Sequence, residues 1–185
     1  MNAFIYGKGQ SMPKLLENVR QDLLEEARKQ INEIGYEKIT MRNIASGCGI
    51  AVGTIYHYFS SKDMLIASLM LEDWLIIMDQ MRSDCAGAEN VLQAAKIIYE
   101  GIRSYTNSFL PIFTDRSASK AAGQVYHQRH LMLRDQLSSL LQPFSLMEDG
   151  TPDEYLAAFT AEALLAWTVE DKPFSEIARI LERLY

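Results

Sequence analysis

Three basic side chains lie in a stretch that has no acidic residue, and together they could bind a polyanion such as nucleic acid. They are Lys38, Arg42 and Lys62, and the 25 residues from the first to the last contain no Asp or Glu. The chain as a whole has a net charge of −6, yet residues 1–62 carry eight Lys or Arg against six Asp or Glu, a balance of +2. Residues 63–185 carry ten against eighteen, a balance of −8. Such a segment favours phosphate ligands, although chance in a turn-rich segment gives the same pattern.

Hydrogen-bonding aromatic side chains occupy three consecutive positions, Tyr56, His57 and Tyr58, inside the same window. Gly53 and Thr54 precede them, where a phosphate could approach backbone amides without obstruction by a side chain. Phenol hydroxyls and ammonium groups suit phosphate oxygens, whereas a guanidinium can pair with both major-groove acceptors of guanine. The residue types therefore predict both backbone contacts and base contacts with duplex DNA.

Two short helices joined by a turn are predicted to position these side chains. Thr40 is a good N-cap for the first helix, which ends at Gly47, and Ala51–His57 forms the second. Gly49 stands where the backbone must turn sharply, and Ala45 is small where the two helices cross. This arrangement is typical of a helix-turn-helix.

Helical periodicity also dominates the rest of the chain. Apolar residues recur at helical spacing after Ser11 and Pro13 as far as Gly35, and Ser60 or Ser61 is expected to cap a long helix. No segment long enough for a β-strand has β-branched residues at alternate positions between turn residues, so the sequence predicts an all-α fold. Four further helices are predicted near residues 89–108, 117–142, 152–169 and 174–185.

The last two predicted helices have the composition of an association surface. Residues 155–167 are rich in Ala, and the following helix repeats apolar residues at a 3-4-3 spacing. Small residues let helices approach closely and larger ones interdigitate, so the pair suits a bundle formed by two copies, with an internal core as the alternative. The predicted dimer interface consists of Phe159, Ala163, Trp167, Phe174, Ile177, Leu181 and Leu184.

Residues 35–65 resemble the DNA-binding segment of the tetracycline-repressor (TetR) family of bacterial regulators. The resemblance covers about a third of the chain and implies a three-helix DNA-binding head over residues 1–62. It also implies a larger helical domain over residues 63–185 that dimerises through its last two long helices and binds a small effector. The features that carry it are Gly35-Tyr36, Thr40, Ile44-Ala45, Gly49-Ile50, Gly53-Thr54, Tyr56, Tyr58-Phe59, Lys62 and Leu65.

The resemblance also implies roles for individual side chains. Two groups follow from position in the motif: Arg42, Gly53, Thr54 and His57 would touch bases or the groove floor, and Thr40, Tyr56, Tyr58 and Lys62 would hold phosphates. Two residues depart from the pattern. Ala51 stands where the family often has a Ser or Thr N-cap, and Val52 replaces a residue that is frequently polar.

Met and aromatic side chains after residue 63 suit an adaptable apolar pocket, although each is also typical of an ordinary core. Arg103 is a candidate anchor for an anionic effector group. His127 and His130 stand three residues apart on a predicted helix, but the spacing implies no further ligand, so no metal site is expected. The candidate effector pocket comprises Trp74, Met78, Tyr99, Arg103, Phe109, Tyr126 and His127.

Together these observations predict a ligand-responsive transcriptional regulator, most simply a repressor. It would bind a pseudo-palindromic double-stranded DNA operator as a homodimer and be released by a small molecule. The alternatives are a degenerate family member that binds a small molecule without DNA, and an all-helical enzyme, for which the sequence offers no catalytic motif. No cofactor is expected. With two cysteines, no apolar run of spanning length and no signal-like start at Met1–Met12, the sequence predicts a cytoplasmic protein without a membrane partner.

Overall fold

A computed structural model describes residues 18–113 and 123–185, and for Pro111, Phe113 and residues 123–129 it describes the backbone alone. These residues form helices and a single isolated antiparallel bridge between Leu146 and Pro152, so the predicted all-α fold is confirmed. A 3-10 turn at Gln142–Phe144 follows the seventh helix. The helices are α1 (Val19–Ile34), α2 (Met41–Gly47), α3 (Val52–Tyr58), α4 (Lys62–Cys85), α5 (Val91–Ser108), α6 (Leu110–Phe113), α7 (Gly123–Leu141), α8 (Glu154–Val169) and α9 (Phe174–Leu184).

Local signals explain where the first helices begin and end. The Thr40 hydroxyl accepts a hydrogen bond from the Asn43 amide at 3.1 Å, and the Ser61 hydroxyl accepts one from the Met64 amide at 3.2 Å. Side chains of this kind satisfy amides that have no partner within the helix. Gly35 follows α1 with φ +82°, a backbone conformation that other residues rarely adopt. The predicted caps of α2 and α4 are therefore confirmed, with Ser61 as the cap of α4.

One short helix was not predicted. The sequence predicts helices near residues 89–108 and 117–142 with none between them, whereas the structure has α6 over Leu110–Phe113. Proline is compatible with the first turn of a helix, because the amide that it lacks has no partner there. Of the predicted helix over residues 117–142, the described part is α7, and the start predicted for α1 lies outside the described residues.

A first hydrophobic core, here called the head core, lies between α1, α2, α3 and the beginning of α4. Phe109 and Ile112, from the α5–α6 corner, are buried in the same cluster. The proposed boundary after residue 62 therefore falls inside a packed unit rather than between two separate ones. The head core comprises Val19, Leu23, Leu24, Ala27, Ile31, Tyr36, Ile39, Met41, Ile44, Ala45, Ile55, Phe59, Leu65, Ile66, Leu69, Phe109 and Ile112.

A second cluster, here called the C-terminal core, begins on α4 at Trp74 and continues through α5, α7, α8 and α9. A Cβ atom on Gly101 would overlap the Met81 side chain, so α4 and α5 approach closely at that point. Helix α4 thus supplies side chains to both cores. No helix among the described residues is long and apolar enough to cross a membrane.

Two ion pairs fasten α1 to α4. Arg28 donates two hydrogen bonds to the buried carboxylate of Asp73, and Arg20 pairs with Glu72. The hydrogen bond to Asp73 raises the pKa of the Arg28 guanidinium, an effect larger than the opposing one of burial. A bidentate pair of this kind fixes direction as well as distance, and it sets the angle at which α4 leaves the head core.

Candidate nucleic-acid interface

Helices α2 and α3 are held together by a tight turn. Gly49 has φ +69°, and the Ile50 amide donates to the Ala45 carbonyl at 3.0 Å across the turn. Ala45 and Ile55 are fully buried between the two helices and α1. The predicted helix-turn-helix is therefore present, and the small residue lies at the crossing as expected.

Helix α3 presents its polar aromatic side chains outward. Tyr56 and Tyr58 are exposed to 52% and 38%, and His57 is exposed as well. Ile55 and Phe59 point the other way and are buried in the head core. The helix is thus anchored by two apolar residues while its outer face carries groups that can hydrogen-bond a ligand.

The start of α3 lacks side-chain capping. Ala51 occupies the N-cap position in an extended conformation and makes no side-chain hydrogen bond, as the departure from the family pattern predicts. Val52 is half-buried and packs against the head core, so its apolar side chain contributes to the packing of α3. Gly53 is exposed, and a Cβ atom added there would meet nothing within 4 Å of the chain.

The other proposed DNA-binding residues lie at the start of α2, on α3 and at the first turn of α4. Thr40 and Arg42 are exposed, whereas Thr54 on α3 and Lys62 on α4 are half-buried. The Lys62 ammonium donates to the Tyr36 carbonyl at 3.0 Å and lies 4.1 Å from the centre of the Tyr36 ring. The sequence offered no signal for this last contact, because the two residues are 26 positions apart.

The described members of the proposed effector pocket fall into two groups. Trp74, Met78, Tyr99 and Phe109 are buried in the two cores, whereas Arg103 is exposed and pairs with Asp171 at 3.5 Å. The side chains of Tyr126 and His127 lie outside the described residues.

Aromatic contacts connect the buried members. Trp74 and Phe109 each contact Tyr105, with ring centres 5.2 Å apart in both pairs. The Trp74 indole also donates to Gln136 Oε1 at 2.6 Å. Sequence reasoning missed Gln136, because a glutamine on a helix is ordinarily a surface residue.

The proposed dimer residues do not share one environment. Ile177 and Leu181 are buried in the C-terminal core of the same chain, whereas Phe159 and Leu184 are exposed. The other three pack against that core and are half-buried: Ala163, Trp167 and Phe174. Nearby, His130 contacts the Glu162 carboxylate at 2.8 Å, which gives the histidine a partner on α8.

A shallow groove of about 330 Å³ lies between α1 and the end of α2, and none of the proposed pocket residues lines it. Gly47 and Cys48 line it on one side, and Asp22, Glu25 and Glu26 with one lysine line it on the other, so its charge is predominantly acidic. Because an acidic groove repels phosphate, the candidate DNA-binding surface is the exposed face of α3 with the basic side chains beside it.

Comparisons with known proteins agree with this geometry. Residues 23–69 match the family model of bacterial regulatory proteins of the tetR family, a segment that runs from α1 into α4. The HTH-type transcriptional repressor AcnR of Corynebacterium glutamicum is 41% identical over 56 residues, which are 30% of this chain and 30% of AcnR. The match therefore spans less than a third of that relative's length.

Solved structures resemble the chain over most of its length. A TetR-family transcriptional regulator from Pectobacterium atrosepticum has a TM-score of 0.60 and 20% identity, and the match covers 91% of this chain and 92% of that one. The regulator FadR from Bacillus subtilis, in complex with stearoyl-CoA, has a TM-score of 0.52 and 18% identity over 89% and 96% of the two chains. These similarities show the fold, and the head carries the sequence match. Residues 23–69 thus match the tetR family of bacterial regulatory proteins, and the described fold is the one that these solved regulators share.

Proposed function

We propose that this protein is a ligand-responsive transcriptional repressor that binds a pseudo-palindromic operator as a homodimer. One observation carries the DNA-binding part: α3 is anchored by Ile55 and Phe59 and turns Tyr56, His57 and Tyr58 outward. The acid-free window surrounds this helix, so its surface can approach phosphates without like-charge repulsion. AcnR, which is 41% identical to this chain over 56 residues, is named a repressor.

The remaining parts of the proposal follow from the division of the chain. We propose that residues 1–62 contact DNA and that residues 63–185 bind the effector and the second subunit. This division concerns function, since the head core includes side chains from both segments. We propose no enzymatic activity and no cofactor, and we place the protein in the cytoplasm with the operator.

Arg42 is the side chain proposed to read a base. Replacing it with alanine should cost about 1–3 kcal/mol per half-site and relax the preference at one base position, because a bidentate guanidinium contact distinguishes guanine from other bases. Duplex fragments enriched from a genomic library by the wild-type protein supply the probe, and fluorescence anisotropy with single base changes measures both effects.

Lys96→Ala provides the matched control. Lys96 is an exposed cation on α5 whose pair with Glu100, at 3.9 Å, is weak and distant from the head. DNA affinity should stay unchanged in this variant. A uniform loss of affinity for every sequence in Arg42→Ala would assign Arg42 to phosphate instead of a base.

Gly53 gives a test in which stability and DNA binding change in opposite directions. Alanine at this helical position should stabilise the fold by about 0.5–1 kcal/mol, because the fold itself leaves room for a methyl group. If DNA approaches the backbone there, the same methyl should cost about 1–3 kcal/mol of binding per half-site through overpacking. Thermal unfolding and anisotropy measure the two effects.

The control for this variant is Gly87→Ala, which replaces a glycine beyond the end of α4 where a Cβ would meet only an ordinary contact at 3.7 Å. It should leave DNA affinity unchanged. Full affinity in Gly53→Ala would remove Gly53 from the interface.

An apolar face on α8 and α9 supports the dimer. Tyr155 and Phe159 are exposed to 87% and 59%, and Val169 continues the same side of α8 toward its end. On α9, Ile180 and Leu184 are exposed at the edge of the same apolar face whose residues Ile177 and Leu181 are buried. Exposed apolar side chains grouped on two helices typically mark an interface, so they support the proposed dimer.

Phe159→Glu should therefore convert the dimer to a monomer, because it places a charge in an apolar contact. Ile76→Glu is the control: Ile76 is equally exposed but lies on α4, outside the proposed face. Light scattering measures the mass of each variant. A wild-type mass near 21.0 kDa at high concentration would contradict the proposed dimer.

The proposed effector site surrounds the buried residues near Trp74. FadR, which shares the fold, was solved in complex with stearoyl-CoA, and the C-terminal core of this chain supplies apolar side chains around Trp74. Tyr105 contacts Trp74 in one core and Phe109 in the other, so a ligand that displaces Trp74 also disturbs the head core. That physical connection supports release of DNA on ligand binding.

Ligand binding and DNA binding should then weaken each other by the same factor, about 5–150-fold, because the coupling free energy is reciprocal. In a Trp167→Phe variant, Trp74 is the remaining tryptophan, and its emission reports the ligand. Titrations with stearoyl-CoA, in the presence and absence of operator, measure both directions. A ligand that changes Trp74 emission but leaves DNA affinity unchanged would contradict the proposed coupling.

A further inference from the structure

Two consecutive residues of α4 hold a single tyrosine from the turn between α1 and α2. Lys62 donates to the Tyr36 carbonyl at 3.0 Å, and its ammonium lies 4.1 Å from the centre of the Tyr36 ring. The Tyr36 hydroxyl donates to Asp63 Oδ1 at 2.6 Å. The tyrosine is thus held at its backbone, on its ring face and at its hydroxyl.

The ring is a fixed support. Tyr36 is only 9% exposed and belongs to the head core, and Gly35 before it sets the direction of the chain with φ +82°. A buried ring with a hydrogen-bonded hydroxyl has little rotational freedom. The lysine that lies against it is therefore restrained too, although Lys62 itself is half-buried.

The ammonium keeps capacity for a further partner. An ammonium has three N–H donors, and the Tyr36 carbonyl uses one. Within the described part of the chain, no carboxylate forms an ion pair with Lys62. The neighbouring Asp63 accepts the tyrosine hydroxyl. The charge of Lys62 is thus oriented by a neutral ring and carbonyl and is available to an anion.

We propose that Tyr36 is a positioning residue for DNA binding: it orders the Lys62 side chain before DNA arrives, so that the ammonium meets a phosphate with less loss of conformational freedom. The inference rests on the proposed function. Ordering a free lysine on binding costs about 0.5–1.5 kcal/mol, which corresponds to about 2- to 12-fold in affinity. Tyr36 itself touches no DNA in this scheme.

A purely structural role for the same contacts makes a different prediction. If Lys62 only ties α4 to the α1–α2 turn, its removal lowers stability and leaves the salt dependence of DNA binding unchanged. If it meets a phosphate, its removal reduces the slope of log affinity against log salt by about 0.9 per half-site.

The experiment compares full-length wild type with Tyr36→Leu, Lys62→Ala and the double variant, on a duplex enriched by the wild type. Lys62→Ala should reduce the salt slope as above. Tyr36→Leu should lower affinity by about 2- to 12-fold per half-site with the slope unchanged, since the lysine still reaches its phosphate. Tyr36→Phe retains the ring and should remain within about twofold of wild type.

The double variant separates positioning from a general weakening of the head. In the Lys62→Ala background, Tyr36→Leu should have no further effect on affinity, because the side chain that it orders is gone. Equal losses in both backgrounds would overturn the proposal, as would an unchanged salt slope in Lys62→Ala. Thermal unfolding verifies that each variant folds. If Tyr36→Leu does not fold, Tyr36→Met replaces it in the same cycle, because the unbranched methionine side chain reaches further along the space of the ring.

The proposed function and this inference fail in different ways. If the wild type shows no salt-dependent binding to any enriched duplex, the proposed DNA-binding function is wrong, and so is the proposed role of Tyr36. If the wild type binds and Tyr36→Leu matches it in affinity, only the inference is wrong.

Discussion

Helix α4 belongs to both hydrophobic cores, and the orientation of everything after residue 62 depends on how it is fastened to α1. The Arg28–Asp73 pair supplies that fastening at the point where α4 passes from one core to the other. Asp73 is buried, so removal of its partner would leave a carboxylate without compensation in a poorly solvated place. The pair therefore favours one angle between the two helices over others, in addition to any contribution to stability.

This constraint determines how a change in the C-terminal core can reach the candidate DNA-binding surface. A rigid helix that is held near its middle moves at both ends, and the first residue of α4 is Lys62. Because Lys62 lies against Tyr36 in the turn before α2, displacement of α4 also disturbs the contact that holds the ammonium. Trp74, Tyr105 and Phe109 provide a second connection through packed rings. Both routes are continuous physical contacts of the kind that can carry coupling between distant sites.

The sequence predicted the head far better than the rest, and the reason is the range of the interactions involved. The caps at Thr40 and Ser61 and the turn at Gly49 depend on neighbours within four residues, so residue type and spacing suffice. By contrast, the 3-4-3 spacing of α9 marks an apolar stripe without saying what covers it. The structure shows Ile177 and Leu181 facing their own chain.

The contacts of Arg103, Gln136 and Lys62 could not be predicted from the sequence, because each joins residues that are far apart in the chain. Arg103 is on a helix where periodicity allows an inward side chain, but its contact with Asp171 depends on a loop 68 residues later. Gln136 meets Trp74 across 62 residues, and Lys62 meets Tyr36 across 26. Such pairs are fixed by tertiary packing, and the local pattern around one residue does not indicate which distant residue its side chain meets.

Helix α3 shows how the fold separates stability from recognition. Seven residues are too few for an independent helix, its N-cap is an alanine without a side-chain hydrogen bond, and Gly53 lies in its first turn. Each feature weakens the helix on its own, so α3 persists because Ile55 and Phe59 are buried in the head core. Because those two anchors and the turn at Gly49 hold α3 in place, its outward side chains are available for the proposed contact with DNA.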